Sequence, residues 1–157
     1  MATARKRSAA SGQAAPALTI QLAGAVSIAP LTNARLRQLV RAALATGPQP
    51  LEITLRFTAR REARALNAAY RQGDYDPNVL TFDYPGTDTA DIVICPPVVR
   101  EQAREQHKRF ADHLSHMVVH GVLHALGHTH DQARAAARME KLEIEILARF
   151  GIADPYQ

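Results

Sequence analysis

One stretch in the last third of the chain restricts the fold more than any other: His116-Met117-Val118-Val119-His120-Gly121-Val122-Leu123-His124-Ala125-Leu126-Gly127-His128-Thr129-His130-Asp131. All seven histidines of the protein lie between His107 and His130. A helix turns about 100° per residue, so His120 and His124 project from one face and can aim two imidazoles at one ion. Gly127 follows three residues later, where a helix can stop and the chain reverse through a left-handed residue, bringing His130 back to the same point. The fold must therefore hold a helix and the turn behind it in fixed relation. Three neutral imidazoles leave Zn2+ its charge and an open fourth position, the layout of a catalytic site rather than a closed structural one. The expected ligands of a single Zn2+ per chain are His120, His124 and His130. His116, four residues before His120 on the same face, is the main rival for the third place, and His128 the second. His107 and His113 are expected at the helix approach, in solvent.

The spacing His-x3-His-x5-His, with glycine three after the second histidine, matches the ligands and glycine of the long metalloprotease pattern HExxHxxGxxH. It departs where that pattern has glutamate, the base that activates water against a peptide carbonyl. Here stands Gly121. The metal chemistry survives, including a bound water whose pKa falls to roughly 7, while the peptidase reading loses its base.

At 157 residues and 46% hydrophobic, the chain has enough apolar side chains for one real core, and residues 17–157 are expected to form one domain. No apolar run approaches the ~20 residues that span a bilayer, and the lone Cys95 excludes an internal disulfide framework, so a cytoplasmic, reducing location without a membrane partner fits. The net charge is +4, and no acid precedes Glu52, whereas Arg5, Lys6, Arg7, Arg35, Arg37 and Arg41 do. That imbalance suits a polyanionic partner. Residues 1–16, rich in Ala, Ser, Gly and Arg, are expected to be a disordered basic tail, an organellar transit peptide being the alternative.

Leu18–Ala23 alternates and reads as a first strand. Thr32 or Asn33 can cap a helix with the stripe Leu36, Leu39, Val40, Ala43 and Leu44, ended by Gly47-Pro48. Leu51–Phe57 is the second strand. Thr58 is expected to cap a second helix with an apolar face of Ala63, Leu66 and Tyr70. Arg60, Arg64, Asn67 and Arg71 share another face, a row that can hold phosphates bidentately or be simply solvated; Arg60 and Arg64 are candidate substrate contacts. Asn78–Tyr84 and Asp91–Cys95 read as strands, the second an interior one with Cys95 a small core residue. Pro97 suits the first turn of a third helix, the histidine helix runs from about Phe110 to Leu126, and the last helix, near Gln132 to Phe150, shows Met139, Leu142, Ile146 and Phe150 at helical spacing.

Taken together, Leu66-Asn67-x-x-Tyr70-Arg71, Asn78-Val79-Leu80-Thr81-Phe82, Asp91-Ile92-Val93-Ile94 and His120-Gly121-x-Leu123-His124-x-x-Gly127-x-x-His130 resemble the YbeY family of bacterial endoribonucleases, from about residue 50 to Tyr156. The resemblance implies a single-strand-specific, zinc-dependent endoribonuclease in ribosomal RNA maturation, chiefly at the 3′ end of the small-subunit RNA, and in ribosome quality control. Ribosomal RNA, the ribosomal subunit and ribosomal proteins are the implied partners. It also implies His120, His124 and His130 as zinc ligands and Arg71 as the other functional position. The chain departs from the family's usual pattern in His128-Thr129 for Tyr-Asp, in Asp76-Pro77-Asn78 before the third strand, and in its longer basic N-terminus.

The expected architecture is α+β, a single domain with a mixed four-stranded sheet and about five helices, in the order βαββααα after the first strand, with a zincin-like histidine motif on a helix. The expected mechanism has Zn2+ polarise a phosphoryl oxygen or activate water while Arg71 neutralises charge building on the phosphorane. With no glutamate in the motif, either metal-bound hydroxide serves as the base or the RNA 2′-OH is the nucleophile. Two alternatives are a non-catalytic ribosome assembly factor with a structural zinc, and a metal-dependent peptidase or amidase with a base from outside the motif.

Overall fold

The computed structural model describes residues 17–48 and 51–157, and the tail expected over residues 1–16 lies outside them. The elements run β1 (Leu18–Leu22), α1 (Asn33–Leu44), β2 (Glu52–Phe57), α2 (Arg60–Arg71), β3 (Val79–Asp83), β4 (Thr89–Ile94), α3 (Pro96–Glu105), α4 (Phe110–Ala125) and α5 (Ala133–Arg149). The four strands form one mixed sheet in the order β1-β2-β4-β3, with β1, β2 and β4 parallel and β3 antiparallel to β4. This is the expected α+β domain, with α1 inserted between the first strand and the βαββααα series.

The alternation of β2 carries its consequence: Ile53, Leu55 and Phe57 are buried on one face while Thr54 and Arg56 are half-buried on the other. Full burial of such side chains stabilises by about 1.5–3 kcal/mol each. They meet Leu36, Leu39 and Val40 of α1, Leu114, Val118 and Val122 of α4, and Met139, Ile146 and Leu147 of α5 in one core. The apolar run of β4 is buried continuously from Ile92 to Cys95, as an interior strand with both faces covered requires. On the other face α2 docks through Ala63 against Cys95 and Val98.

Two expectations for α2 are corrected. Thr58 does not cap it: the cap is Ala59, with no side-chain cap bond, and the Thr58 hydroxyl donates instead to Glu62, which also receives Arg56 at 2.8 Å. The helix is also rolled, with Ala63 and Asn67 buried and Tyr70 66% exposed. Asn67 goes inward because its amide donates to Tyr75 O at 3.1 Å, holding the loop that follows the helix. Elsewhere the signals act as expected. Thr32 accepts from Arg35 N at 3.2 Å, and Pro96 and Pro97 fill the first turn of α3, where no backbone N–H is needed.

Ten of the sixteen residues of α4 are buried, so this helix is enclosed nearly all round rather than on one stripe. That overturns one assignment. His113 is 5% exposed, with Nε2 against Gln102 Oε1 of α3 at 3.0 Å, because α3 covers the side of α4 expected to face solvent. His107 is exposed, as expected.

Candidate metal centre

The end of α4 is built by backbone geometry around Gly127, which has φ +98°. His128 N bonds Leu123 O at 3.1 Å and Gly127 N bonds His124 O at 2.9 Å, the paired reversal that ends a helix in a left-handed residue. The chain turns back, and His130 joins His120 and His124. Their ring centroids stand 4.6, 4.9 and 5.1 Å apart, and one potential ligand atom from each lies within 4.8 Å of the others. Burial, and then the neighbouring His120 and His130, hold the His124 imidazole below its ordinary pKa, in the neutral form that carries a lone pair for a cation. This donor set fits Zn2+: three imidazoles, with His130 at the exposed rim.

His116 belongs to a different group. Its Nε2 stands 2.6 Å from Glu143 Oε2, and His120 Nδ1 stands 2.8 Å from Glu143 Oε1. Two ligand atoms about 2.0–2.2 Å from a tetrahedral ion would be roughly 3.3 Å apart, so these shorter contacts are bridged by protons and not by a metal. Because Nδ1 of His120 donates to Glu143, its Nε2 is the atom left to hold an ion. His128 lines the same cleft but falls outside the three-histidine group.

Glu143 was not foreseen. It sits fully buried inside the apolar face of α5, four residues after Met139 and three before Ile146, and that misplaced acid is the signal its sequence carried. Burial alone would raise its carboxyl pKa, but hydrogen bonds from His116, His120 and Tyr156 outweigh that and hold it well below the usual carboxylate range. Burial and the Glu143 carboxylate in turn push the Tyr156 hydroxyl up.

Gly121 faces the sheet. A Cβ there would stand 2.7 Å from Ile92 Cγ2 and 3.4 Å from Val79 Cγ2. Thr81 of β3 donates its hydroxyl to Gly121 O at 3.2 Å, so the strand edge seals this side of the helix.

The histidines open onto a cleft of about 550 Å3 whose lining includes Arg71, Tyr75, Thr81, His120 and His124. Arg71 donates through Nη2 to Thr81 O, and its guanidinium stands 5.2 Å from the Phe82 ring centroid. Asp74 and Asp76, which could have taken it, are engaged by the other arginines. Arg60 meets Asp76 at 3.3 Å and Glu101 at 2.6 Å; Arg64 meets Asp74 at 2.8 Å and Asp76 at 3.2 Å. The structure thus brings Arg71 to the histidine cleft, whereas Arg60 and Arg64 are not part of its lining and are tied to the loop between α2 and β3.

Residues 25–151 match the family model described as Endoribonuclease YbeY. The Endoribonuclease YbeY of Bordetella avium (strain 197N) is 47% identical over 152 residues, covering 90% of this chain and 94% of its own. That of Bordetella petrii is 55% identical over 109 residues, covering 67% and 70%, and that of Thiobacillus denitrificans is 48% identical over 143 residues, covering 88% and 95%. A Thermotoga maritima protein solved in solution shares the fold at a TM-score of 0.57 and 22% identity, over 89% of this chain and 99% of its own. A family match that runs from residue 25 to 151, and so takes in β2 to β4, α2 with Arg71 and the whole histidine turn, places this chain in the Endoribonuclease YbeY family.

Proposed function

We propose that this member of an endoribonuclease family is a zinc-dependent, single-strand-specific enzyme. It acts in the cytoplasm on ribosomal RNA, chiefly at the 3′ end of the small-subunit RNA, and in ribosome quality control with the ribosomal subunit or its proteins as partners. The observation that carries the reading is the convergence of His120, His124 and His130 across one cleft from Arg71. A net charge of +4 suits a polyanionic substrate, and no described helix is long and apolar enough to cross a membrane.

Zinc held by the three histidines would supply a Lewis acid for a phosphoryl oxygen and lower the pKa of water. The protein's own groups do the rest. Arg71, fixed by Thr81 O, presents a planar guanidinium to the phosphodiester and offsets charge that grows toward the transition state. Arg60 and Arg64, with 42% and 49% of their side chains exposed and both paired to the loop whose Tyr75 lines the cleft, are the proposed contacts for neighbouring phosphates. Neutral His124 keeps its lone pair directed to the metal position instead of taking a proton. The peptidase alternative lacks a base at Gly121 and also the space for one.

The test pairs metal analysis with cleavage. Purified protein should contain one zinc per chain and cut unpaired RNA, and His120→Ala, His124→Ala or His130→Ala should lose both properties while folded. His113→Ala and His116→Ala should still bind zinc. Full zinc in His130→Ala would mean that another residue is the third ligand. Zinc loss in folded His124→Ala with cleavage intact would leave the metal a structural role.

A further inference from the structure

A lone carboxylate in an apolar core is costly unless donors surround it, and the stripe of α5 would be satisfied by a leucine at position 143. Glu143 is instead fully buried and accepts from three side chains, divided unequally between its two oxygens. Oε2 takes His116 Nε2 at 2.6 Å and the Tyr156 hydroxyl; Oε1 takes His120 Nδ1 alone, at 2.8 Å. One oxygen is thus anchored by a different turn of α4 and by the C-terminal turn, while the other is dedicated to a metal-site imidazole. The anchor is itself tied down. Tyr156 N bonds Asp154 Oδ1 at 2.8 Å, and Lys108 donates to Pro155 O. A purely structural link between α4, α5 and the C-terminus would be complete with the Oε2 half and would not require His120.

We propose that Glu143 is a positioning residue for the metal centre: it fixes the His120 tautomer and ring so that Nε2 faces His124 and His130, and Tyr156 and His116 hold Glu143 for that task. The C-terminal turn is therefore part of the site's support although it lies behind the cleft. Outer partners of this kind typically set metal affinity by roughly 10- to 100-fold.

The inference rests on the three-histidine zinc reading, and its test reads metal affinity alone, so the outcome of any RNA assay leaves it unaffected. Zinc affinity of the full chain is measured by competition with a chromogenic chelator, alongside thermal stability. Glu143→Gln keeps the shape but replaces an acceptor by a donor, and should weaken zinc binding by roughly 10- to 100-fold. Tyr156→Phe should weaken it less, in the same direction. Ile146→Val, a core change on the same helix, should lower stability and leave zinc affinity at the wild-type value. A second readout is the His120 Nδ1–H resonance: strongly hydrogen-bonded and downfield in wild type, shifted upfield in Glu143→Gln and displaced in Tyr156→Phe. Wild-type affinity and an unmoved resonance in folded Glu143→Gln would overturn the proposal. If Glu143→Gln fails to fold, Tyr156→Phe decides: loss of affinity with a displaced resonance supports the proposal, and wild-type values for both overturn it. Failure of the wild-type chain to take zinc would overturn the inference together with the metal reading.

Discussion

A Cβ at residue 121 would stand 2.7 Å from Ile92 Cγ2, a branched methyl on β4 that has little freedom to withdraw, so α4 can lie this close to the sheet only with glycine there. Gly121→Ala should cost about 1–3 kcal/mol, seen as a lower urea midpoint at unchanged slope. Gly121→Glu should fail to create peptidase activity on casein, because the new side chain would meet β3 and β4 and not the metal. A second prediction concerns Arg71. If its guanidinium acts on charge that develops only in the transition state, Arg71→Lys keeps the charge but loses the planar fork, and the cleavage step slows more than binding weakens. Removing such a preorganised donor costs about 3–4 kcal/mol, or roughly 100- to 1000-fold in single-turnover rate. A wild-type rate from zinc-loaded Arg71→Lys would remove it from the mechanism. The histidines were legible because ligand spacing on a helix is a local property of sequence, and Gly127 marked the reversal. Glu143 was not, because its partners His116, His120 and Tyr156 lie 13 to 27 positions away and only tertiary packing brings them together.

Among the elements, α2 shows where periodicity misleads. Its apolar positions Ala63, Leu66 and Tyr70 suggested one buried face, yet Asn67 is buried and Tyr70 exposed. Polarity alone would turn an asparagine outward, whereas here its amide bonds a loop carbonyl and Gly73 packs against it so closely that a Cβ there would meet Asn67 Nδ2 at 2.4 Å. Strands and helices with one apolar face were readable to within a residue or two, since alternation and caps are written locally. The arginine row gives the prediction at this scale. Arg60 and Arg64 hold Asp74 and Asp76 of the loop whose Tyr75 lines the cleft. If they contact phosphates by exchanging these carboxylates, Arg60→Ala and Arg64→Ala should weaken RNA binding with a shallower salt dependence, and single-turnover cleavage of bound RNA should stay near wild type. If they serve only as clamps, the salt slope will stay unchanged while the loop becomes more susceptible to proteolysis.

Across the whole molecule, α4 is the shared wall of core and cleft: apolar residues on it join α1, α5 and the sheet, and histidines run along it from His113 beside α3 to His124 at the cleft. Enclosing that many imidazoles makes stability depend on acid. His113 is buried against Gln102, and desolvation, then the neighbouring His116 and Lys108, lower its pKa from 6.5 to about 4. The unfolded chain therefore takes a proton on this residue near pH 6.5, while the folded chain refuses it until about pH 4. Between those values the unfolded state binds more protons, so stability falls as pH falls, and it levels off for this group below both. The contribution reaches up to about 3 kcal/mol, since each tenfold difference in proton affinity between the two states is worth about 1.4 kcal/mol. Glu143 adds to the loss at lower pH: its folded pKa is depressed, so the stability it contributes is present above the unfolded value of 4.5 and disappears as pH falls through the folded one. Urea denaturation of metal-free protein should therefore show a declining midpoint from pH 7 to pH 4. His113→Gln, which keeps a polar partner for Gln102 but cannot titrate, should flatten the part of that decline above pH 4.5, and an unchanged slope there would show that His113 is not its source.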